Sequence, residues 1–198
     1  MNDGQPPSWA DILLRLVLRP GDRESISGDL LEEYRERIVP MYGRRCADSW
    51  YVVQVLGYVW RATRFGAVVF SGLFLTRSAY DWLVPTTDFV TRSTITTIAA
   101  AGALSIVGFR AAWRAQSVVD GTLVTVLTSQ VAAILSTIGT TLMLILWHDE
   151  ATLRAIDGSG GLEEAFVLPF MMIIPAVILG ATAGVCGSLT RRVCVTRR

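Results

Sequence analysis

The chain contains no lysine. Its 18 basic residues are all arginine against 17 acidic ones, so the net charge of +1 creates no overall field that would recruit nucleic acid. Histidine is almost absent, His148 being the single one. The three cysteines, Cys46, Cys186 and Cys194, form no CxxC pair, which excludes a zinc site or disulfide framework of familiar spacing. No GxSxG nucleophile elbow, Walker-type phosphate loop or HExxH metalloprotease signature occurs, so the common hydrolytic chemistries lack their parts. No catalytic residue, cofactor site or metal site is therefore expected. The N-terminal apolar stretch is interrupted by Arg15 and has no small-residue cleavage site, unlike a secretory signal.

What the chain has is apolar length. It is 52% hydrophobic with a mean hydropathy of +0.45, and its charges crowd into the first third, short connections and the C-terminal tail. Between Asp120 and Asp149 there is no charge at all, and Gly121 to Trp147 exceeds the roughly 20 residues that a helix needs to cross a bilayer. The expected fold is all-α: a cytoplasmic helical module over 1–62, then a four-helix transmembrane bundle over 63–198. The expected spans are about 66–83, 93–112, 121–147 and 162–189.

Within the first module, Trp9, Ile12, Leu13, Leu16 and Val17 recur at helical spacing opposite Asp11, Arg15 and Arg19. Ser8 is the expected cap and Pro20-Gly21 the stop. This amphipathic helix suits either a neighbouring helix or the lipid surface. A second helix over 22–38 carries Ile26, Leu30, Tyr34 and Ile38 on one face, with Glu33 and Arg37 paired at i,i+4. Gly28 inside it is unfavourable for a helix, and a close helix crossing would account for it. The carboxylates Asp29, Glu32, Glu33 and Glu36 read as a solvated face. After a turn at Pro40–Gly43, a helix from Arg44 leads to a joint near Arg61–Gly66, with Trp50, Tyr51, Tyr58 and Trp60 among arginines as at a headgroup boundary.

The run Arg19-Pro20, Asp22-Arg23-Glu24, Gly28-Asp29-Leu30, Glu32-Glu33-Tyr34-Arg35-Glu36-Arg37, then Trp50-Tyr51 and Gln54-Val55-Leu56, resembles the permease prefix domain. In bacteria that module precedes FtsX-like ABC permeases of the macrolide-exporter type, often encoded near PadR-type regulators. The resemblance covers about Trp9 to Trp60. Val52 and Val53 depart from it, and the chain continues into a few spans rather than into a permease with a large extracytoplasmic domain. It implies a membrane-associated accessory or scaffolding module that docks a partner, with Gly28, Asp29, Glu32, Glu33 and Tyr34 as the candidate docking residues.

In the spans, Arg77 and Asp81 are spaced to pair on one helix face, either snorkelling to an interface near Trp82 and Pro85 or forming an intramembrane site. Ala99, Gly102 and Ala103 permit close approach in the second span. Thr128, Ser129, Gln130, Ser136, Thr137, Thr140 and Thr141 give the third a polar side. Ala176, Gly180 and Gly184 form a packing seam in the fourth, Ala183 and Gly187 a second, and Pro169 and Pro175 are expected kinks. His148 falls in an acidic connection with Asp149, Glu150, Asp157, Glu163 and Glu164, read as a solvated loop. Arginines cluster at one side, which places both termini in the cytoplasm of a multi-pass inner or plasma membrane protein. The expected partners are the lipid bilayer and either a transporter subunit or a second copy through the seams, with no nucleic acid. The rival expectation is a small ion or solute carrier using Arg77, Asp81 and the polar face of the third span.

Overall fold

The computed structural model describes residues 4–84, 89–158 and 161–196. Pro85, Ser159, Gly160, Arg197 and Arg198 lie outside them, as do the side chains of Glu164, Arg192 and Cys194. The described residues are helical, with no strand among them. Contacts divide the chain into Met1–Ala62 and Thr63–Arg198.

The first unit contains α1 (Ser8–Val17), α2 (Arg23–Glu33), a π-helical turn (Tyr34–Ile38), α3 (Val39–Tyr42) and the first part of α4 (Arg44–Leu83). Each long element contributes a row at four-residue spacing: Ala10, Leu14 and Leu18; Leu30, Tyr34 and Ile38; Ala47, Tyr51, Val55 and Val59, all buried. Tyr34 and Tyr51 meet edge to face at 5.8 Å, a geometry worth about 1 kcal/mol beyond the area it buries. Each phenol also finds a carboxylate. Tyr34 Oη donates to Asp48 at 2.6 Å, and Tyr51 Oη to Asp11 at 3.2 Å, where Ser27 Oγ also donates and Arg15 Nε binds the second oxygen at 2.9 Å. Burial, reinforced by Asp48, pushes the Tyr34 hydroxyl up to about 12. Burial and Asp11 raise that of Tyr51 further still.

Several expectations change here. The helix α1 starts one residue early: Pro7 occupies the cap position, its carbonyl accepting from Ala10 N, and the Ser8 side chain caps nothing. Of the apolar stripe, Trp9 and Ile12 are exposed, and the row packed against the neighbouring helices is Ala10, Leu14 and Leu18. No helix crosses at Gly28, where a Cβ would meet open space. Pro40 does not break the helix. It follows the π-turn, in helical backbone that continues from α2 into α3, and the stop is Gly43 at φ +76°, a conformation that favours glycine. In the stretch Arg61–Gly66, where a joint is expected, α4 is unbroken, and the division between the two units falls there.

The second unit comprises α4 from Thr63 onward, α5 (Phe89–Ala115), α6 (Val118–Leu146), α7 (Glu150–Gly158), α8 (Gly161–Met171) and α9 (Ile173–Thr196). Register is set by the close approaches. Gly66 lies beside Thr128 and Leu75 beside Gly139, so α4 and α6 run in the same direction. Gly108 meets Gly180, and Gly187 meets the Phe109 carbonyl, so α5 and α9 run together; Gly180 beside Thr122 and Gly184 beside Val118 oppose them to α6. One core gathers Ala67, Phe70, Ala100, Leu104, Ala132 and Ala176, and a second gathers Trp82, Met143, Ile156 and Ala165.

Among the described residues three helices, Val90–Ala115, Val118–Leu146 and Gly161–Arg191, are long and apolar enough to cross a membrane. The segment 66–83 is not among them, because Arg77 and Asp81 interrupt its apolar run. Polarity in this unit is inverted relative to a water-soluble bundle. Ile95, Ile98, Ile106, Ile134, Ile138, Leu142, Ile145, Ile174 and Ile178 are exposed, while Thr125, Thr128, Ser129, Ser136 and Thr140 are fully buried. Such a surface is stable against hydrocarbon and unfavourable against water.

Candidate functional site

The most charged interior position is built where the end of α4 meets the start of α5. Asp81 sits between two guanidiniums: Arg77 Nε lies 3.3 Å from Asp81 Oδ2, and Arg92 Nη1 lies 2.7 Å from Oδ1. The first is the i,i+4 pair of one helix, the second a contact across the hairpin. Side-chain exposures are only 8%, 5% and 19% for Arg77, Asp81 and Arg92, so the cluster is buried within the second unit. Arg92 also covers the Tyr80 ring at 5.0 Å, a cation–π contact. Its approach to Asp81 is close but off the hydrogen-bonding angle, an ionic contact rather than an aligned bond.

Two small cavities flank this cluster. One, about 40 Å³, is lined by Phe74, Arg77, Thr96, Thr97, Pro169 and Met172 among others. The second, about 20 Å³, touches Arg77, Ser78, Asp81, Trp82, Gly161 and Ala165. These volumes suit a water molecule or a small ion rather than an organic substrate. Pro169, fully buried in α8, supplies no N–H, which frees the Ala165 carbonyl beside the second cavity. The helix breaks at Met172, between α8 and α9, in the region where the two prolines predicted a kink.

The polar side of α6 divides into two parts. Thr125, Thr128 and Ser129 donate to carbonyls of their own helix, at Gly121, Val124 and Val126. Ser136, Thr137 and Thr140 bury hydroxyls that make no hydrogen bond. Gln130 donates to Ser129 Oγ at 3.4 Å and does not line either cavity at Arg77. The register explains this: Leu75 lies level with Gly139, so Gln130 is more than two helical turns away from Arg77.

The seams predicted in the last span are used within the chain. A Cβ at Gly180 would come within 2.8 Å of the Thr122 backbone, one at Gly184 within 3.3 Å of Val118, and Ala176 is fully buried in the main core. The row containing Gly187 faces α5. Gly180, Gly184 and Gly187 are thus occupied by α5 and α6 of the same chain. In the second span the close approach is at Gly108, whose Cβ would lie 3.1 Å from Gly180 Cα, while Gly102 has open space. Below it, Arg191 closes the end of α5, donating to the Trp113 carbonyl at 2.7 Å and to that of Arg114 at 2.6 Å.

The acidic connection after His148 is a helix rather than a loop. Asp149 caps α7, accepting from Thr152 N at 3.3 Å and Thr152 Oγ1 at 2.7 Å, and these bonds lower its carboxyl below the ordinary value. His148 is exposed, its Nδ1 3.3 Å from the Ile145 carbonyl. No group of three potential metal ligands gathers among the described residues.

Of the predicted docking residues, Gly28, Asp29 and Glu32 are exposed and Glu33 half-buried. Tyr34 is fully buried and bonded to Asp48, so it holds the unit together and cannot touch a partner. Sequence reasoning missed Arg92 as a member of the ion cluster, although its place just after the first hairpin put it at the same end as Asp81. It also missed the binding of Tyr51 and Ser27 to Asp11, which no local pattern announces. No protein-family model matches this chain, and neither a curated protein nor a solved structure shows similarity to it.

Proposed function

We propose that the chain is a non-enzymatic integral membrane protein whose N-terminal unit is an accessory or scaffolding module, related to the prefix of ABC-type permeases, that docks a partner such as a transporter subunit. The observation that carries this reading is the pairing of a separately packed, charge-rich helical unit containing the GDLLEEYRER sequence with an inverted bundle that exposes isoleucine and buries hydroxyls. A fourth crossing by α4 is supported by Ala67 and Phe70, which share a core with residues of α5, α6 and α9. With four crossings, Arg64, Arg110, Arg114 and Arg191 collect at one end of the bundle, and the positive-inside rule puts that end and both termini in the cytoplasm of the inner or plasma membrane. Cross-linking in membranes, then purification in mild detergent, is expected to recover a stoichiometric partner. A partnerless monomer refutes the reading.

The carrier reading has one specific observation in its favour, the buried Arg77–Asp81–Arg92 cluster beside two cavities. The displacement of Gln130 weighs against it. Flux assays in proteoliposomes with Asp81→Asn as control separate the two readings: Asp81-dependent flux of an ion supports the carrier.

A further inference from the structure

The two ends of the second unit differ in charge. Asp81, Asp149, Glu150, Asp157 and Glu163 lie at the end of α4, in α7 or its cap, and at the start of α8, where Arg77 and Arg92 hold Asp81 and Arg154 holds Glu150. At the opposite end the described side chains are Arg64, Arg110, Arg114 and Arg191 against one carboxylate, Asp120, which is buried. Arg191 is committed to the Trp113 and Arg114 carbonyls. Arg64, Arg110 and Arg114 are exposed and form no ion pair among the described residues. We infer that these three arginines form a collar that selects anionic phospholipid from the bilayer, and the inference rests on the reading of this unit as membrane-embedded.

Their level and their surroundings carry it. Gly66 of α4 packs against the Val107 side chain of α5, and the two helices run in opposite directions. Counted from that contact at about 1.5 Å per residue, Arg64 lies about 3 Å, Arg110 about 4.5 Å and Arg114 about 10.5 Å toward the same end. The spread of about 7.5 Å matches one headgroup layer, about 5–8 Å thick. The adjoining surface is apolar: Phe65 beside Arg64, Val68 one turn deeper in α4 and Ile106 one turn deeper in α5 are all exposed. Whatever covers this face must offer hydrocarbon and negative charge side by side, which an anionic phospholipid does and a soluble phosphate does not. The guanidinium supplies paired donors that fit two phosphate oxygens at once.

The test reconstitutes the full chain in phosphatidylcholine bilayers doped with spin-labelled phosphatidylglycerol or, in a parallel sample, spin-labelled phosphatidylcholine. Electron spin resonance reads the fraction of each label that the protein slows. At about 1 kcal/mol per arginine near the surface, phosphatidylglycerol should be favoured about fivefold where it meets an arginine, and about twofold averaged over the whole lipid shell. The preference should vanish in the triple variant Arg64→Gln, Arg110→Gln and Arg114→Gln, survive lysine at the same three positions, and be untouched by Arg154→Gln at the other end. Equal slowing of the two lipids, a preference that survives the glutamine variant, or displacement of phosphatidylglycerol by soluble glycerol phosphate overturns the inference while leaving the unit in the membrane. If neither lipid is slowed, the membrane reading itself fails and the inference with it.

Discussion

Replacing Asp81 with asparagine keeps the side-chain shape and removes the carboxylate that lies between Arg77 and Arg92. In the structure that carboxylate is 5% exposed, with cationic nitrogens at 3.3 and 2.7 Å. At an interface or in water such pairs are worth about 0–1 kcal/mol, because solvent and ions screen them. In a buried setting, removal of one partner costs about 3–5 kcal/mol, because charge is left without its compensation in a medium that solvates it poorly. The two outcomes are far enough apart to be told by unfolding in mixed detergent micelles, monitored through loss of helicity. The structure predicts the larger loss for Asp81→Asn and a smaller one for the double variant Arg77→Leu with Asp81→Leu, which removes a cation with its anion. A loss below about 1 kcal/mol for Asp81→Asn would refute the interior placement and return the pair to the headgroup region.

Packing and titration give the remaining expectations. Gly180→Val should destabilise the bundle by about 1–3 kcal/mol, since the new side chain meets the Thr122 backbone, whereas Gly28→Ala should stabilise the first unit by about 0.5–1 kcal/mol; thermal unfolding of each variant checks both. Because the chain has no lysine and arginine stays charged, tyrosine and cysteine are the side chains left to titrate in strong base. Tyr34 is raised in the folded state, so its contribution is complete below pH 10 and is lost as pH climbs toward 12, a loss of at most about 3 kcal/mol; tyrosinate absorbance should rise together with the loss of helicity in the first unit, and Tyr34→Phe should diminish the coupling. Asp149 has the opposite sign. Its carboxyl is lowered, so the cap of α7 holds above the ordinary value of 3.8 and fails as pH falls below it, which amide exchange in α7 would report and Asp149→Asn would blunt.

Much of the helical plan is legible in the sequence because burial periodicity and apolar length are local properties. The row Leu30, Tyr34, Ile38 and the uncharged run of α6 can be read from spacing alone. What spacing does not contain is which face a neighbour covers: Trp9 and Ile12 share the apolar stripe, yet the buried row runs through Ala10 and Leu14. Small residues raise the same ambiguity: Gly102 and Gly108 are alike in sequence, yet only Gly108 has a helix against it. The ion cluster is half legible. Arg77 and Asp81 declare themselves by i,i+4 spacing, while Arg92 reaches them through a hairpin whose closure depends on the whole bundle. The motif tyrosine is the sharpest case. Spacing puts Tyr34 on the buried row with Leu30 and Ile38, but nothing in the sequence announces Asp48 as the partner that takes its phenol out of reach of a docking surface.

The claim on which the rest depends is that α5, α6 and α8–α9, together with the end of α4, lie in lipid with both termini on one face. Labelling single cysteines with a membrane-impermeant maleimide in intact cells tests it directly, in a background where Cys46, Cys186 and Cys194 are serine. A cysteine at Glu150, the first residue of α7, should react at once, and one at Gln116, between α5 and α6, only after the membrane is opened. Equal reaction at both positions, or release of the chain from membranes by alkaline carbonate, would contradict it.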